Sequence, residues 1–215
     1  MAESPQQEGV LPITLAQLRK AMPYCPVARA QQFVAPLNVA MTRFEINTPK
    51  RVACFIATLA HESGSFRYME EIADGSAYED RADLGNTLPE AKGYPPDGKA
   101  GPWFKGRGPI QTTGYHNYKA AGEALYGDPE RFLTQPDRLA SPEDGCLSSA
   151  LYWKREGCNE VADEGDFRGT QQIVNMGRGR LGSPRDPIGW KDRQEQYERA
   201  KVAFGVEQGG GDGQG

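Results

Sequence analysis

Histidine is scarce in this chain of 215 residues, which contains only His61 and His116. A metal site built on several imidazoles is therefore excluded. His61-Glu62 begins like the zinc motif HExxH, but Ser65 occupies the position of the second histidine. The GxSxG, Walker A and EF-hand patterns are also missing. We therefore expect a protein with no metal and no cofactor.

Three further absences narrow the class of protein. The four cysteines form no CxxC pair, so we expect free thiols, as in a chain made in the reducing cytosol. No apolar run reaches the roughly 18 residues of a membrane-spanning helix, and residues 1–20 lack the basic start and apolar core of a signal peptide. The net charge of −4 does not indicate the basic surface that nucleic-acid-binding proteins usually have. We expect neither stable membrane insertion nor a nucleic-acid partner.

Glycine and proline are abundant, with 26 and 16 residues, so much of the chain is loop and turn. Helices are nevertheless indicated by caps placed before amphipathic stretches. These caps are the Thr14–Gln17 capping box and the pairs Thr48-Pro49, Ser141-Pro142 and Asp186-Pro187. The pattern predicts a mainly α domain over residues 12–205.

Three segments lack a helical period. Residues 72–110 are rich in glycine and proline, which predicts a large irregular or short-hairpin lobe inserted after the third helix. Residues 1–11 are polar and residues 206–215 are rich in glycine, which predicts a disordered N-terminus and a flexible tail.

A carboxyl group continues the apolar stripe of the third helix. The stripe consists of Val52, Phe55, Ile56 and Leu59, and Glu62 is the next residue on the same face. Burial raises the pKa of a carboxyl, and a raised pKa suits a general acid that works near neutral pH. The alternative is a glutamate at the helix end that turns to solvent.

Hydrolysis by two carboxyls needs a second acid. The candidates are Glu70, Glu71, Asp74, Glu79 and Asp80. A continuous helix would carry Glu71 about 13 Å beyond Glu62, too far to act on one bond. Ser63 and Gly64 indicate that the helix ends there, so the next segment can fold back. The alternative for Glu70-Glu71 is a solvated charge pair.

The segment 104–114 (FKGRGPIQTTG) is the sharpest local signal. If it is extended, Gln111 and Thr113 share one face, where an amide and a hydroxyl suit a water or a sugar. The alternative is an ordinary turn that leads into a helix at residues 115–125.

Arginines mark the C-terminal third. Arg193 lies between Trp190 and Tyr197 on the apolar face of the last helix, so it is paired or lines a site. Residues 177–182 match GxGxxG, but no strand or βαβ unit surrounds them, which excludes dinucleotide binding. Arg178, Arg180 and Arg185 form a basic patch that is either a solvated loop or a seat for the carboxylates of an anionic polymer.

Together these motifs resemble glycoside hydrolase family 19, which includes plant-type chitinases and bacteriophage endolysins. The resemblance rests on AHESG at residues 60–64, KGRGPIQTTGYHNY at 105–118 and YEDRADLGNT at 78–87, the last as in short phage and bacterial members. It covers residues 12–205. It implies a mainly α, lysozyme-like fold in two lobes, with a small β-hairpin or loop lobe beside a deep cleft.

The resemblance also implies residue roles. Glu62 matches the general acid and Glu71 the second acid of an inverting mechanism. Gln111 and Thr113 match the amide and hydroxyl that position the attacking water or the sugar. Further candidate substrate-binding residues are Tyr78, Glu79, Asn117, Asn175 and Arg193. Plant members place the base farther from the acid, which makes Glu79 a rival to Glu71. At residues 175–177 the chain reads NMG where members usually read NGG.

We therefore expect a phage or prophage endolysin, a muramidase that cuts the β-1,4 bond between N-acetylmuramic acid and N-acetylglucosamine and lyses bacteria. Its expected partner is the peptidoglycan glycan strand. We expect a monomer that is made in the host cytoplasm and acts on the cell wall or periplasm after release. The route of export stays open between a partner pore such as a holin and a secretion machine. Three alternatives stay open: a chitinase of the same family, a lytic transglycosylase, and a secreted antibacterial effector with the same chemistry.

Overall fold

The computed structural model describes residues 10–206, which fold mainly into α-helices, as predicted. The helices are α1 (Leu15–Ala21), α2 (Val27–Arg43), α3 (Pro49–Glu62), α4 (Pro89–Lys92), α5 (Ala100–Trp103), α6 (Tyr115–Tyr126), α7 (Arg131–Thr134), α8 (Pro142–Arg155), α9 (Cys158–Asp163), α10 (Phe167–Met176) and α11 (Trp190–Phe204). The predicted disorder of residues 1–9 and flexibility of residues 207–215 lie outside the described residues. Val10, Leu11 and Val206 pack partly buried against the core.

Three of the four predicted caps are confirmed. Thr14 forms a capping box with Gln17, Thr48 accepts a hydrogen bond from the backbone N–H of Arg51, and Ser141 accepts one from Asp144. The prediction for Asp186 is wrong, because α11 begins at Trp190 after Gly189, which adopts a φ of 73°. The Asp186 carboxylate instead forms an ion pair with Arg168 at 2.7 Å.

Helix α3 runs through the middle of the core. Its residues Val52 to Ala60 are all buried, and it packs against α11, α9 and α10. The Phe55 ring meets Trp153 of α8 edge to face, with 5.4 Å between ring centroids. A helix held on several sides is rigid, so its last residue, Glu62, is presented at a fixed place.

The lobe between α3 and α6 contains short helices rather than a regular hairpin. Helices α4 and α5 lie in it, with 3₁₀ turns at Ser76–Tyr78 and Ala82–Leu84. In the described part of the chain, β-pairing is limited to the isolated bridges Glu70–Arg107 and Arg107–Thr112. The density of glycine and proline explains this, because proline donates no hydrogen bond to a β-ladder and glycine weakens a strand.

The four cysteines, Cys25, Cys54, Cys146 and Cys158, are buried free thiols, as predicted. Burial raises the pKa of Cys54 to about 12, so its nucleophilic thiolate is not populated near neutral pH. Among residues 10–206, no helix is both long and apolar enough to cross a bilayer.

Candidate active site

The chain reverses direction directly after Glu62. Three consecutive residues, Gly64, Ser65 and Phe66, have φ values of 56°, 60° and 62°. The Ser63 hydroxyl donates to the Leu59 carbonyl at 2.6 Å and accepts from the Phe66 N–H at 2.8 Å. Left-handed backbone at Ser65 and Phe66 costs energy, which the stacking of Phe66 on Phe33 offsets. The predicted end of the helix is confirmed.

The returning segment pairs with the glycine-rich turn. The Glu71 N–H donates to the Gly106 carbonyl at 2.9 Å, and the Gly108 N–H donates to the Met69 carbonyl at 2.8 Å. Backbone pairing on both sides of Glu70 leaves Glu71 little freedom. The fold-back that the sequence required for a second acid is therefore present.

Three polar side chains converge on Gly106. A β-carbon placed there would lie 2.5 Å from Gln111 Oε1 and 3.2 Å from both Glu71 Oε2 and Thr113 Oγ1. Glu71 Oε1 accepts a hydrogen bond from the Tyr78 hydroxyl at 2.9 Å, and Glu71 Oε2 accepts one from the Gly106 N–H at 3.3 Å. Only glycine leaves room for this cluster.

Tyr78 is a fixed donor to the Glu71 carboxylate. Burial and the hydrogen bond to Glu71 both raise the pKa of Tyr78. The phenol therefore keeps its proton near neutral pH, and the Glu71 carboxylate keeps its donor.

Glu62 and Glu71 line one open cavity of about 410 Å³, together with Tyr78, Gln111 and Thr113. A second cavity of about 250 Å³ shares Gln111 and Thr113 with the first and extends to Asn117, Tyr152 and Arg155. Gln111 and Thr113 line both cavities, so the two are adjacent. Together they are called the cleft below, with an acid end at Glu62 and Glu71 and a far end at Arg155.

The rival carboxyls point to other partners. Glu79 Oε2 accepts the Gly101 N–H at 2.7 Å, and Glu79 does not line the 410 Å³ cavity. Glu70 also lines the 410 Å³ cavity, but its carboxylate forms ion pairs with Lys105 at 2.8 Å and Arg107 at 3.2 Å. Burial raises the pKa of Glu70, but the Lys105 hydrogen bond and the two positive charges outweigh it and lower the pKa overall. The structure therefore brings Glu71, and not Glu79, to the cleft.

Arg193 forms an ion pair with the candidate acid itself. Its side chain is 2% exposed, and its NH1 atom lies 2.6 Å from Glu62 Oε1. The guanidinium also donates to the Ile188 carbonyl and to Gln171 Oε1, each at 2.8 Å. The Glu62 side chain is 22% exposed, so it is neither fully buried nor turned to solvent. The sequence argument from the burial of Glu62 did not include this neighbouring guanidinium.

The chain is similar in sequence to several plant endochitinases. No family model matches the chain. It is 34% identical over 151 residues to endochitinase At2g43620 of Arabidopsis thaliana, covering 70% of this chain and 45% of that protein. It is 30% identical over 131 residues to endochitinase B of Zea mays, covering 61% and 42%. The chain therefore spans about half the length of the curated relatives it matches.

Solved structures agree over nearly the whole chain. A bacterial family 19 chitinase superposes with a TM-score of 0.68 at 24% identity, covering 93% of this chain and 98% of that one. Chitinase C from Streptomyces griseus HUT6037 gives a TM-score of 0.66 at 21% identity, covering 95% and 80%. The chain has the family 19 chitinase fold. The predicted fold class is confirmed, whereas the endolysin part of the resemblance stays a proposal.

The family 19 fold places the remaining predicted residues as follows. The Asn117 amide donates to the Thr113 carbonyl at 2.7 Å and lines the far end of the cleft. Gln111 is not extended, since its φ is 59°, yet it lies beside Thr113, whose hydroxyl donates to the Gln111 carbonyl. Asn175 lines neither cavity, and its Oδ1 accepts the Ile188 N–H at 2.9 Å. Asn175 thus holds the loop before α11.

The sequence analysis did not predict that one face of α8 lines the cleft. Ser148, Leu151, Tyr152 and Arg155 of α8 line the far end and recur at i, i+3, i+4 and i+7. That spacing was available as a signal, because residues so spaced share one helix face. This helix face mixes polar and apolar side chains, however, so a search for apolar stripes does not find it.

Arg193→Ala is expected to lower the free energy of unfolding by about 3–5 kcal/mol, because it leaves Glu62 and Gln171 without their buried partner. For a chain of this size that corresponds to a melting temperature lower by roughly 10 °C. Thermal and urea unfolding measure the effect. Lys191→Ala, an exposed change on the same helix, is the control. A melting temperature equal to that of the control variant would contradict the prediction.

Proposed function

We propose that the protein is a glycoside hydrolase that cleaves β-1,4 bonds between N-acetylated sugars with inversion at the anomeric carbon. The observation that carries this proposal is the shared cavity of Glu62 and Glu71, into which Gln111 and Thr113 also project. Two carboxyls on either side of a bond are the requirement of this chemistry. The likeness to proteins named as chitinases supports it.

In the proposed mechanism, Glu62 gives its proton to the leaving glycosidic oxygen. Arg193, at 2.6 Å, stabilises the carboxylate that remains. Glu71 takes a proton from the water that attacks the anomeric carbon from the opposite face. The Tyr78 hydroxyl and the Gly106 N–H hold the Glu71 carboxylate in orientation. Gln111 and Thr113 position the water or the N-acetyl group.

The proposal leaves two candidate polymers, chitin and peptidoglycan. The names of the relatives favour chitin. Peptidoglycan, the substrate expected from the sequence, contains the same β-1,4 bond and would require the same residues. A lytic transglycosylase needs no carboxyl to activate water, so the fixed position of Glu71 favours hydrolysis over that alternative.

The test incubates the purified protein with chitin hexamer and, separately, with purified sacculi. Proton NMR follows the first product anomer, and mass spectrometry identifies the products. We expect new reducing ends of α configuration from the β-linked substrate and no 1,6-anhydro sugar. Initial release of the β anomer, or of 1,6-anhydro products, would contradict the mechanism. The relative rates on the two polymers decide between chitinase and muramidase.

A further inference from the structure

The two ends of the cleft differ in the charged residues that line them. Glu62, Glu70 and Glu71 line the acid end. At the far end, Arg155 is the one charged residue among those that line the 250 Å³ cavity. The charges of Glu62 and Glu70 are largely neutralised by their ion pairs with Arg193, Lys105 and Arg107. A glycan with an anionic substituent is attracted to the cation at the far end, whereas a neutral glycan gains no such attraction.

Arg155 is placed to meet a ligand. It lies on the last turn of α8, and its guanidinium faces the Tyr152 ring at 5.9 Å from the centroid. Its side chain is 52% exposed, and its Nε contacts Glu156 Oε1 at 3.2 Å. Among the described residues, that contact is the only polar partner of the guanidinium, which leaves its two NH₂ groups for a bidentate contact with a carboxylate.

The surroundings of Arg155 suit a sugar that carries such a group. Asn117 and Ser148 supply an amide and a hydroxyl, and Leu151 and Val174 supply apolar surface. The basic patch singled out in the sequence lies elsewhere, since Arg178, Arg180 and Arg185 line neither cavity. Arg178 instead donates to the Glu156 carbonyl. The cation of the cleft is therefore Arg155 and not the patch.

We propose that Arg155 binds a carboxylate on a substituent of the glycan strand and so places the acidic sugar at the far end of the cleft. This inference rests on the proposed function, because it assumes that a glycan occupies the cleft. The carboxylate has two possible sources in peptidoglycan. One is the acidic peptide of intact strands, and the other is the lactyl acid of N-acetylmuramic acid, which is a neutral amide while the peptide is attached and a free carboxylate once an amidase has removed it.

The test compares Arg155→Gln with wild-type protein on three substrates: chitin hexamer, intact glycan strands with peptides, and strands whose peptides an amidase has removed. We expect kcat/KM on the carboxylate-bearing strands to fall about tenfold, the size of a partly exposed charged hydrogen bond. On chitin hexamer, which lies in the same cleft but has no carboxylate, we expect a loss at least about fivefold smaller. Arg155→Lys should retain part of the activity on the strands, and Arg185→Gln is the control outside the cleft.

The outcomes distinguish the two carboxylate sources, and they distinguish failure of this inference from failure of the proposed function. A loss confined to intact strands assigns the peptide carboxylate, and a loss confined to amidase-treated strands assigns the lactyl acid that the amidase frees. A loss on both kinds of strand shows that Arg155 binds either carboxylate. An equal loss on chitin hexamer, or no loss on any substrate, overturns the inference. If the wild-type protein cleaves chitin but not the strands, the inference fails and the proposed function stands.

A binding measurement keeps the inference testable without turnover. In the Glu62→Gln background, affinity for amidase-treated and intact strands is measured with and without Arg155→Gln. We expect weaker binding to at least one kind of strand when Arg155 is replaced. If Arg155→Gln leaves the affinity for both kinds of strand unchanged, the inference is overturned. If no glycan is hydrolysed by the wild-type protein, the proposed function fails, and this measurement still decides the role of Arg155.

Discussion

Glu62→Gln is expected to lower kcat for glycan hydrolysis by about 10²–10⁴ while the protein stays folded. An amide has no acidic proton to give to the leaving oxygen. It keeps an oxygen that can face the Arg193 guanidinium, so the buried arginine retains an acceptor. The rate is measured from reducing ends released from chitin hexamer and from sacculi, and the fold is checked by circular dichroism and melting temperature.

The matched control for Glu62→Gln is Glu123→Gln, the same change at an exposed position of α6. We expect this variant to retain wild-type kcat and melting temperature. If Glu62→Gln cleaves as fast as Glu123→Gln, Glu62 is not the general acid. A collapse of the melting temperature in Glu62→Gln would instead assign the residue a structural role as the partner of Arg193.

Local signals predicted the helical body well. The caps at Thr14, Thr48 and Ser141 act through hydrogen bonds to residues three positions later, so the sequence contains both partners. Asp186 has the same local appearance, but its carboxylate pairs with Arg168 across 18 residues. A contact between distant parts of the chain overrides a local preference, and a single sequence does not contain its geometry.

In the site, too, local features were predictable from the sequence and contacts between distant segments were not. The periodicity of α3 predicted where Glu62 lies, and the glycines around Arg107 predicted a turn beside Gln111. The Arg193–Glu62 ion pair joins α11 to α3 across the core, so burial of Glu62 was predicted without its counter-charge. The left-handed conformation of Gln111 was also unforeseen, because glutamine has no special preference for positive φ.

The choice between Glu71 and Glu79 could not be made from spacing, because both follow Glu62 within reach of a returning chain. The structure separates them by their partners. Glu71 lines the cavity with Glu62 and is oriented by Tyr78 and the Gly106 N–H. Glu79 fixes the start of α5 by accepting the Gly101 N–H, and its nearest cation, Lys92, is 3.8 Å away.

Glu71→Gln is therefore expected to lower kcat almost as much as Glu62→Gln, by about 10²-fold or more, with little change in KM. An amide does not accept the proton of the attacking water, although it can still receive the hydrogen bond from Tyr78.

Glu79→Gln is the matched control, because its amide oxygen can keep the bond from Gly101. We expect Glu79→Gln to change kcat less than about threefold, since it loses only a partly exposed ion pair. Both variants are assayed on chitin hexamer and sacculi at the same enzyme concentration. An active Glu71→Gln beside an inactive Glu79→Gln would transfer the role of base to Glu79 and would require the lobe that carries it to move toward Glu62 during the reaction.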